Sequence, residues 1–165
     1  MRIALSFALG FLVLCHPALA CYDGSSPRGP KRFTVKDDEV FDSKTDLIWK
    51  RCSLGTRMEK GRCVGEKAYL GLDQALQSAK AEGNDWHVPS GPELESLIDV
   101  TCGSPVVDVS VFPDIEPDDE GTAKYWTTNE VGAANLIYYF DFMSGRADGH
   151  SRGFQLAVRL VRGGK

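Results

Sequence analysis

The sequence predicts an α+β domain in which antiparallel sheets from both chain ends pack with two helices, spanned by a long loop and stapled by two disulfides. Three observations carry this. Segments rich in β-branched and aromatic residues crowd the two ends of the chain, and helical periodicity is confined to its middle. The five cysteines become four, an even number, once an export signal is removed.

Residues 1–20 read as a signal peptide. Arg2 supplies the positive start, Ile3 to Leu14 are almost wholly apolar, and Ala18-Leu19-Ala20 is a small-x-small cleavage site. An apolar run of about a dozen residues is too short for a bilayer, which needs roughly twenty. Cleavage would leave Cys21 first. Lipoprotein processing also leaves a leading Cys, but it favours Leu where this chain has Ala18, so an unlipidated, disulfide-bonded form is expected. Residues 21–31 hold turn-formers and breakers without apolar period and are expected to form a flexible leader to a domain at 32–165.

Strands are expected at 32–35, 40–42 and 47–52, separated by the turn-like Lys36-Asp37-Asp38-Glu39 and Ser43-Lys44-Thr45-Asp46. Leu47 and Trp49 share a strand face, which assigns Trp49 to the core. Leu72, Ala75, Leu76 and Ala79 recur at helical spacing and stop before Gly83. Ser90, Pro92 and Glu93 form a capping box for a second helix, with Leu94, Leu97 and Ile98 as its buried stripe. From Cys102 to Lys124 no period is visible and Pro105, Pro113 and Pro117 interrupt the chain. A loop of that length is usually functional or disordered. Strands return at 124–127, 136–142 and 154–162, with Met143-Ser144-Gly145-Arg146 as a turn or the start of a longer loop reaching His150.

Cleavage removes Cys15, leaving Cys21, Cys52, Cys63 and Cys102, which in an oxidising compartment read as two disulfides with three possible connectivities. Cys52 and Cys63 bracket a short Gly-, Lys- and Arg-rich segment and are paired here, leaving Cys21 for Cys102; the sequence leaves the other pairings open. A zinc site is disfavoured because no C-x-x-C pair occurs.

The net charge of −4 falls to −5 without the signal peptide, which holds one Arg and no acid. That balance argues against a nucleic-acid partner, which calls for a basic surplus or stripe. Lys50, Arg51, Arg57, Lys60 and Arg62 do cluster, a pattern that attracts sulfated polymers, although a solvated hairpin is the plainer reading.

Four motifs occur in order: Leu47-Ile48-Trp49-Lys50-Arg51-Cys52, Trp86-His87-Val88-Pro89-Ser90, Tyr125-Trp126-Thr127-Thr128, and Arg159-Leu160-Val161-Arg162-Gly163-Gly164. Over roughly residues 33–164 this series resembles the Lcl C-terminal domain family, named after the end domain of a bacterial collagen-like surface adhesin. The resemblance implies a C-type-lectin-like fold, with N- and C-terminal strands meeting and a long loop carrying the ligand site. His87 stands where the family pattern commonly has Arg. The 165 residues contain no Gly-X-Y repeat, so collagen-mediated trimerisation is not implied.

Glu116-Pro117-Asp118 resembles the Glu-Pro-Asn triplet through which calcium-dependent lectins hold ion and sugar. It lies in Asp114 to Glu120, where five of seven residues are acids able to offer hard oxygen ligands. Calcium is the candidate cofactor, with Asp114, Glu116, Asp118 and Asp119 as ligands. The partner Trp-Asn-Asp triplet is missing; Asn129-Glu130 after Trp126 is a poor substitute.

Among Tyr125, Trp126, Tyr138, Tyr139, Phe140 and Phe142, strand alternation buries Trp126, Phe140 and Phe142 and turns Tyr139 outward. The expected ligand-binding set is Trp126, Tyr139, Asp118 and Asp119, although packing is the commoner role for each aromatic taken singly. Arg159 and Arg162 are read as structural, pairing with acids such as Asp141.

His87 is assigned a backbone-bonding role at the link between helices, and His150 an exposed loop position. Asp148, His150 and Ser151 are triad residue types, yet residues this close in a loop rarely point at one another, and no G-x-S-x-G, H-E-x-x-H or phosphate-cradling loop occurs. The expectation is therefore an exported, noncatalytic recognition module of the periplasm or cell surface. Its expected partner is a glycan or sulfated polysaccharide, or, alternatively, a protein of an envelope assembly. A small secreted enzyme ranks last.

Overall fold

A computed structural model describes Cys21, residues 31–132 and residues 135–164. The expected signal peptide, and the leader apart from Cys21 and Lys31, lie outside the described residues. In chain order the elements are β1 (Phe33–Lys36), β2 (Glu39–Asp42), β3 (Leu47–Lys50), β4 (Thr56–Glu59) and β5 (Arg62–Gly65). Helices α1 (Leu72–Glu82) and α2 (Gly91–Glu95) follow, then a 3-10 turn at Val100–Cys102. The chain closes with β6 (Lys124–Val131), β7 (Leu136–Asp141), β8 (Arg146–Ser151) and β9 (Val161–Gly163).

The strands form three antiparallel sheets, ordered β1-β2-β3-β9, β4-β5 and β6-β7-β8. The two chain ends thus meet in one sheet, with Trp49 opposite Val161. Antiparallel sheets with two helices and two disulfides are what the sequence predicted, and both pairings, Cys21–Cys102 and Cys52–Cys63, are present. α2 begins as its capping box foretells: the Ser90 N–H donates to Glu93 Oε2 at 2.7 Å, and the Glu93 N–H donates to Ser90 Oγ at 3.4 Å.

The hairpin expected around the basic cluster is present at residues 56–65, and its two-residue turn, Lys60-Gly61, has φ of 49° and 83°. Such turns usually carry Asn-Gly or Asp-Gly at their positive-φ positions; here Lys takes the first. Two assignments differ. Residues 146–151 form β8 although Arg-Ala-Asp-Gly-His-Ser has no strand propensity of its own. The turn after Asp141 lays them against β7 in register, Asp141 opposite Arg146 and Leu136 opposite Ser151. Conversely, 154–162 is not one continuous strand: Leu156 and Ala157 form isolated bridges, the Val158 and Leu160 carbonyls accept from the Leu54 and Lys50 N–H groups, and β9 begins at Val161.

The core has two parts divided by that last stretch. Leu156, Val158 and Leu160 join Leu72, Ala75, Ala79, Trp86 and Trp126, whereas Ala157 and Val161 join Val40, Trp49, Phe112, Tyr125 and Phe142. This is strand alternation with both faces covered. The 102–124 loop closes the second part by burying Val106, Val107, Val111, Phe112 and Ile115, so most of it is wall rather than free loop.

Candidate functional site

Arg159 shares the parity of Ala157 and Val161 and therefore enters the core, where it is fully buried. A buried guanidinium needs a counter-charge and acceptors. Asp114 supplies the charge at 2.5 Å, Ser53 Oγ accepts at 3.0 Å, and the Lys50 and Arg51 carbonyls accept from Nη1. Of its nitrogens, only Nε lacks a partner among the described residues. Asp114 in turn accepts from the Ser53 N–H at 2.6 Å and Thr56 Oγ1 at 3.1 Å, and Ser53 Oγ meets the Tyr125 hydroxyl at 2.8 Å. Burial pushes the Asp114 carboxyl up, but the Arg159 charge and the Ser53 N–H outweigh it and hold the group below its ordinary range. The partner of Arg159 is thus Asp114, not Asp141, and Arg162 pairs with Glu39 at 2.8 Å.

This node removes Asp114 from the expected calcium site. Asp118 is committed too: one carboxylate oxygen accepts the Glu120 and Thr122 N–H groups at 3.0 and 2.8 Å, closing the loop on itself. Glu116 and Asp119 are exposed. Among the described residues no group of three or more His, Cys, Asp or Glu is placed to hold a metal ion, so the four acids do not fit calcium. The acidity that suggested a metal serves a core ion pair at one end and a self-capped turn at the other.

The aromatics also sort differently. Trp126 is fully buried and its indole N–H donates to the Leu70 carbonyl at 2.7 Å, leaving no ring face for a ligand. Tyr139 is half-buried, with the Lys124 ammonium 6.0 Å from its ring and the His150 ring at 6.2 Å. The outward tyrosine is Tyr138, 38% exposed. Strand phase puts it on the side of buried Phe140, yet it stays open where the sheet faces α2 across a groove.

Tyr138 lines a groove of about 290 Å³ between α2 and the β6-β7-β8 sheet, shared with Phe140, Ala147 and Pro92 on the apolar side and Asn129 and Glu95 on the polar side. β6 creates it by slipping register between Trp126 and Glu130. Such irregularities re-aim side chains. Here the slipped segment turns to α2: the Thr128 N–H donates to the Pro89 carbonyl at 2.9 Å, and the Gly91 N–H donates to Asn129 Oδ1 at 2.6 Å. That bond fixes the Asn129 amide, because only its oxygen accepts. Its NH₂ has no protein acceptor among the described residues, and neither the Glu95 carboxylate nor the Tyr138 hydroxyl has a partner there.

A family model for the Lcl C-terminal domain matches residues 38–162. The chain belongs to the Lcl C-terminal domain family. No curated protein matches the sequence. The matched span contains every residue of the node and of the groove.

In this Lcl C-terminal domain the basic cluster is dispersed. Arg51 is buried, donating to the Val111, Ser110 and Asp37 carbonyls at 3.0, 3.1 and 3.2 Å, and Lys50 pairs with Asp38 at 2.7 Å. Arg57 pairs with Glu59, leaving Lys60 and Arg62 exposed on the hairpin. The histidines hold structure. His87 Nδ1 lies 3.0 Å from the Asp85 carbonyl and Nε2 3.4 Å from Glu93, while His150, on β8 rather than a loop, stacks on Phe154 at 3.5 Å. Asp148 accepts the Gly149 N–H and His150 Nδ1 the Ser151 N–H, so these neighbours cap backbone rather than one another. No helix among the described residues is long and apolar enough to cross a membrane, and the two disulfides suit an oxidising, exported setting.

Proposed function

We propose that this Lcl C-terminal domain is an exported, noncatalytic recognition module that binds a glycan in the groove between α2 and the β6-β7-β8 sheet. The observation that carries the reading is the exposed Tyr138 ring beside an amide NH₂ and a carboxylate that have no partner among the described residues. A sugar offers the matching surfaces: an apolar C–H face for the ring, and hydroxyls that both accept and donate. Ligand sites commonly combine an apolar lining with a few such polar groups.

The C-type-lectin-like layout belongs to the same proposal. Its support is the union of both chain ends in the β1-β2-β3-β9 sheet, with the second sheet and the long loop inserted between them. Noncatalytic action is supported by the engagement of His87 and His150 in structural contacts and of Cys21, Cys52, Cys63 and Cys102 in disulfides. The groove replaces both earlier candidates, since the acidic loop is committed to its own backbone and the basic cluster is largely paired. Recognition is thereby expected without calcium.

The test is a glycan array probed with the oxidised domain and with Tyr138→Ala, each with calcium and with chelator. Binding that survives chelation and is lost in Tyr138→Ala supports the reading. Binding indifferent to Tyr138 contradicts it, and silence across the array favours a protein partner instead.

A further inference from the structure

Resting on the glycan reading, we infer that the groove selects a 2-acetamido sugar and discriminates against sulfated or uronic units. The inference comes from the kind and charge of the groups left open, not from the groove's shape alone. The Asn129 amide is anchored through its oxygen to the Gly91 N–H, so what it presents to a ligand is a donor. Glu95 is exposed, lines the same groove and presents an acceptor with a full negative charge. Pro92, Phe140 and Ala147 present apolar surface.

An acetamido group carries the complement of all three. Its carbonyl accepts from Asn129 Nδ2, its N–H donates to Glu95, and its methyl meets the apolar lining, while the pyranose face lies against Tyr138. A plain 2-hydroxyl supplies neither the methyl nor a carbonyl acceptor. A sulfate or uronate would meet Glu95 without compensation, because among the described residues no Lys or Arg lines the groove. The exposed cations Lys60 and Arg62 lie on the β4-β5 hairpin and do not line the groove. Like charges brought together on binding disfavour the wrong ligand even where the attractive contacts are kept.

The experiment is calorimetric titration of the mature, disulfide-bonded domain with chitotriose, with cellotriose, and with chitotriose sulfated at its 6-hydroxyls. Chitotriose and cellotriose share a β-1,4 backbone and differ at the 2-substituent. One added neutral hydrogen bond and a buried methyl together make chitotriose about tenfold tighter or more. Sulfation should weaken binding. Glu95→Gln, which keeps an acceptor and removes the charge, should weaken chitotriose severalfold, because a charge-assisted bond becomes a neutral one, and should erase the penalty for sulfate. Asn129→Asp, which keeps the acceptor for Gly91 and deletes the donor, should bring chitotriose down toward cellotriose.

Equal affinity for chitotriose and cellotriose, both lost in Tyr138→Ala, would overturn the acetamido inference and leave the glycan reading standing. Tighter binding of the sulfated form would overturn it as well. Affinity for any of the three that ignores Tyr138, or no binding to any of them by the folded domain, would count against the inference and the reading together.

Discussion

The Arg159 node and the Tyr138 groove lie on neighbouring parts of one domain and treat polar groups in opposite ways. At the node, a guanidinium, a carboxylate and two hydroxyls are sealed from water and answer one another across four segments of chain. At the groove, an amide NH₂, a carboxylate and a phenol sit at the surface with no partner among the described residues. The difference teaches where to look for function in a domain with many charges. Charge density led to the acidic loop and the basic cluster, and both prove to be occupied with holding the fold. Unanswered polar groups beside an exposed ring lead to the groove.

Breaking the node should have the largest effect. Asp114→Asn leaves Arg159 charged and buried without its counter-ion, and loss of one partner of a buried pair typically costs about 3–5 kcal/mol. Chemical denaturation would read that loss, while glycan affinity of the folded fraction should not move; a loss under about 1 kcal/mol would mean the pair is not sealed. The same pair gives stability a pH dependence. Because the native state holds the Asp114 carboxyl below its ordinary range, its contribution is present above the unfolded pKa and is lost as pH falls through the folded one. Asp42, held low by Arg32 against the opposing effect of burial, acts in the same direction. Thermal melts on the acid side of the carboxylate range should therefore fall with pH, and a flat profile there would contradict the assignment.

Next in size comes the Cys52–Cys63 staple. Its separation of 11 residues corresponds to about 3 kcal/mol on the loop-entropy model, so the double Ser variant should unfold earlier by about that much. The hairpin carries no groove residue, so ligand affinity should be retained. Tyr138→Ala reverses the pattern. A binding hot spot of about 2 kcal/mol means roughly thirtyfold weaker affinity, with stability nearly unchanged because the ring is exposed. The smallest effect belongs to Glu95→Gln, within about 0.5 kcal/mol of wild-type stability, as befits an exposed side chain without a partner among the described residues.

Much of the fold was legible in the sequence because its signals are local. The Ser90-Pro92-Glu93 box, the Leu72 to Ala79 period and the even cysteine count each follow from a few neighbouring residues, and each appears as predicted. β8 was hidden because its neighbour β7, not its own residues, makes it a strand. The groove was hidden for a related reason. Tyr138 borders the open space between α2 and the sheet, and Asn129 meets the Gly91 N–H within the stretch where β6 slips register, neither of which can be read from a period of two. Arg159 could have been found: it lies in an extended run between Val158 and Leu160, at the parity of Ala157 and Val161, where only a buried acid can accompany it. The acid itself, 45 residues earlier, could not.

The most direct test of the central claim is to map a bound glycan by backbone and side-chain amide NMR. Titration should move the Asn129 side-chain NH₂ signals and the Gly91 and Tyr138 amides first, leaving the 57–62 hairpin and the 114–120 loop in place. Shifts concentrated in the hairpin or the acidic loop, with Asn129 unmoved, would contradict the account.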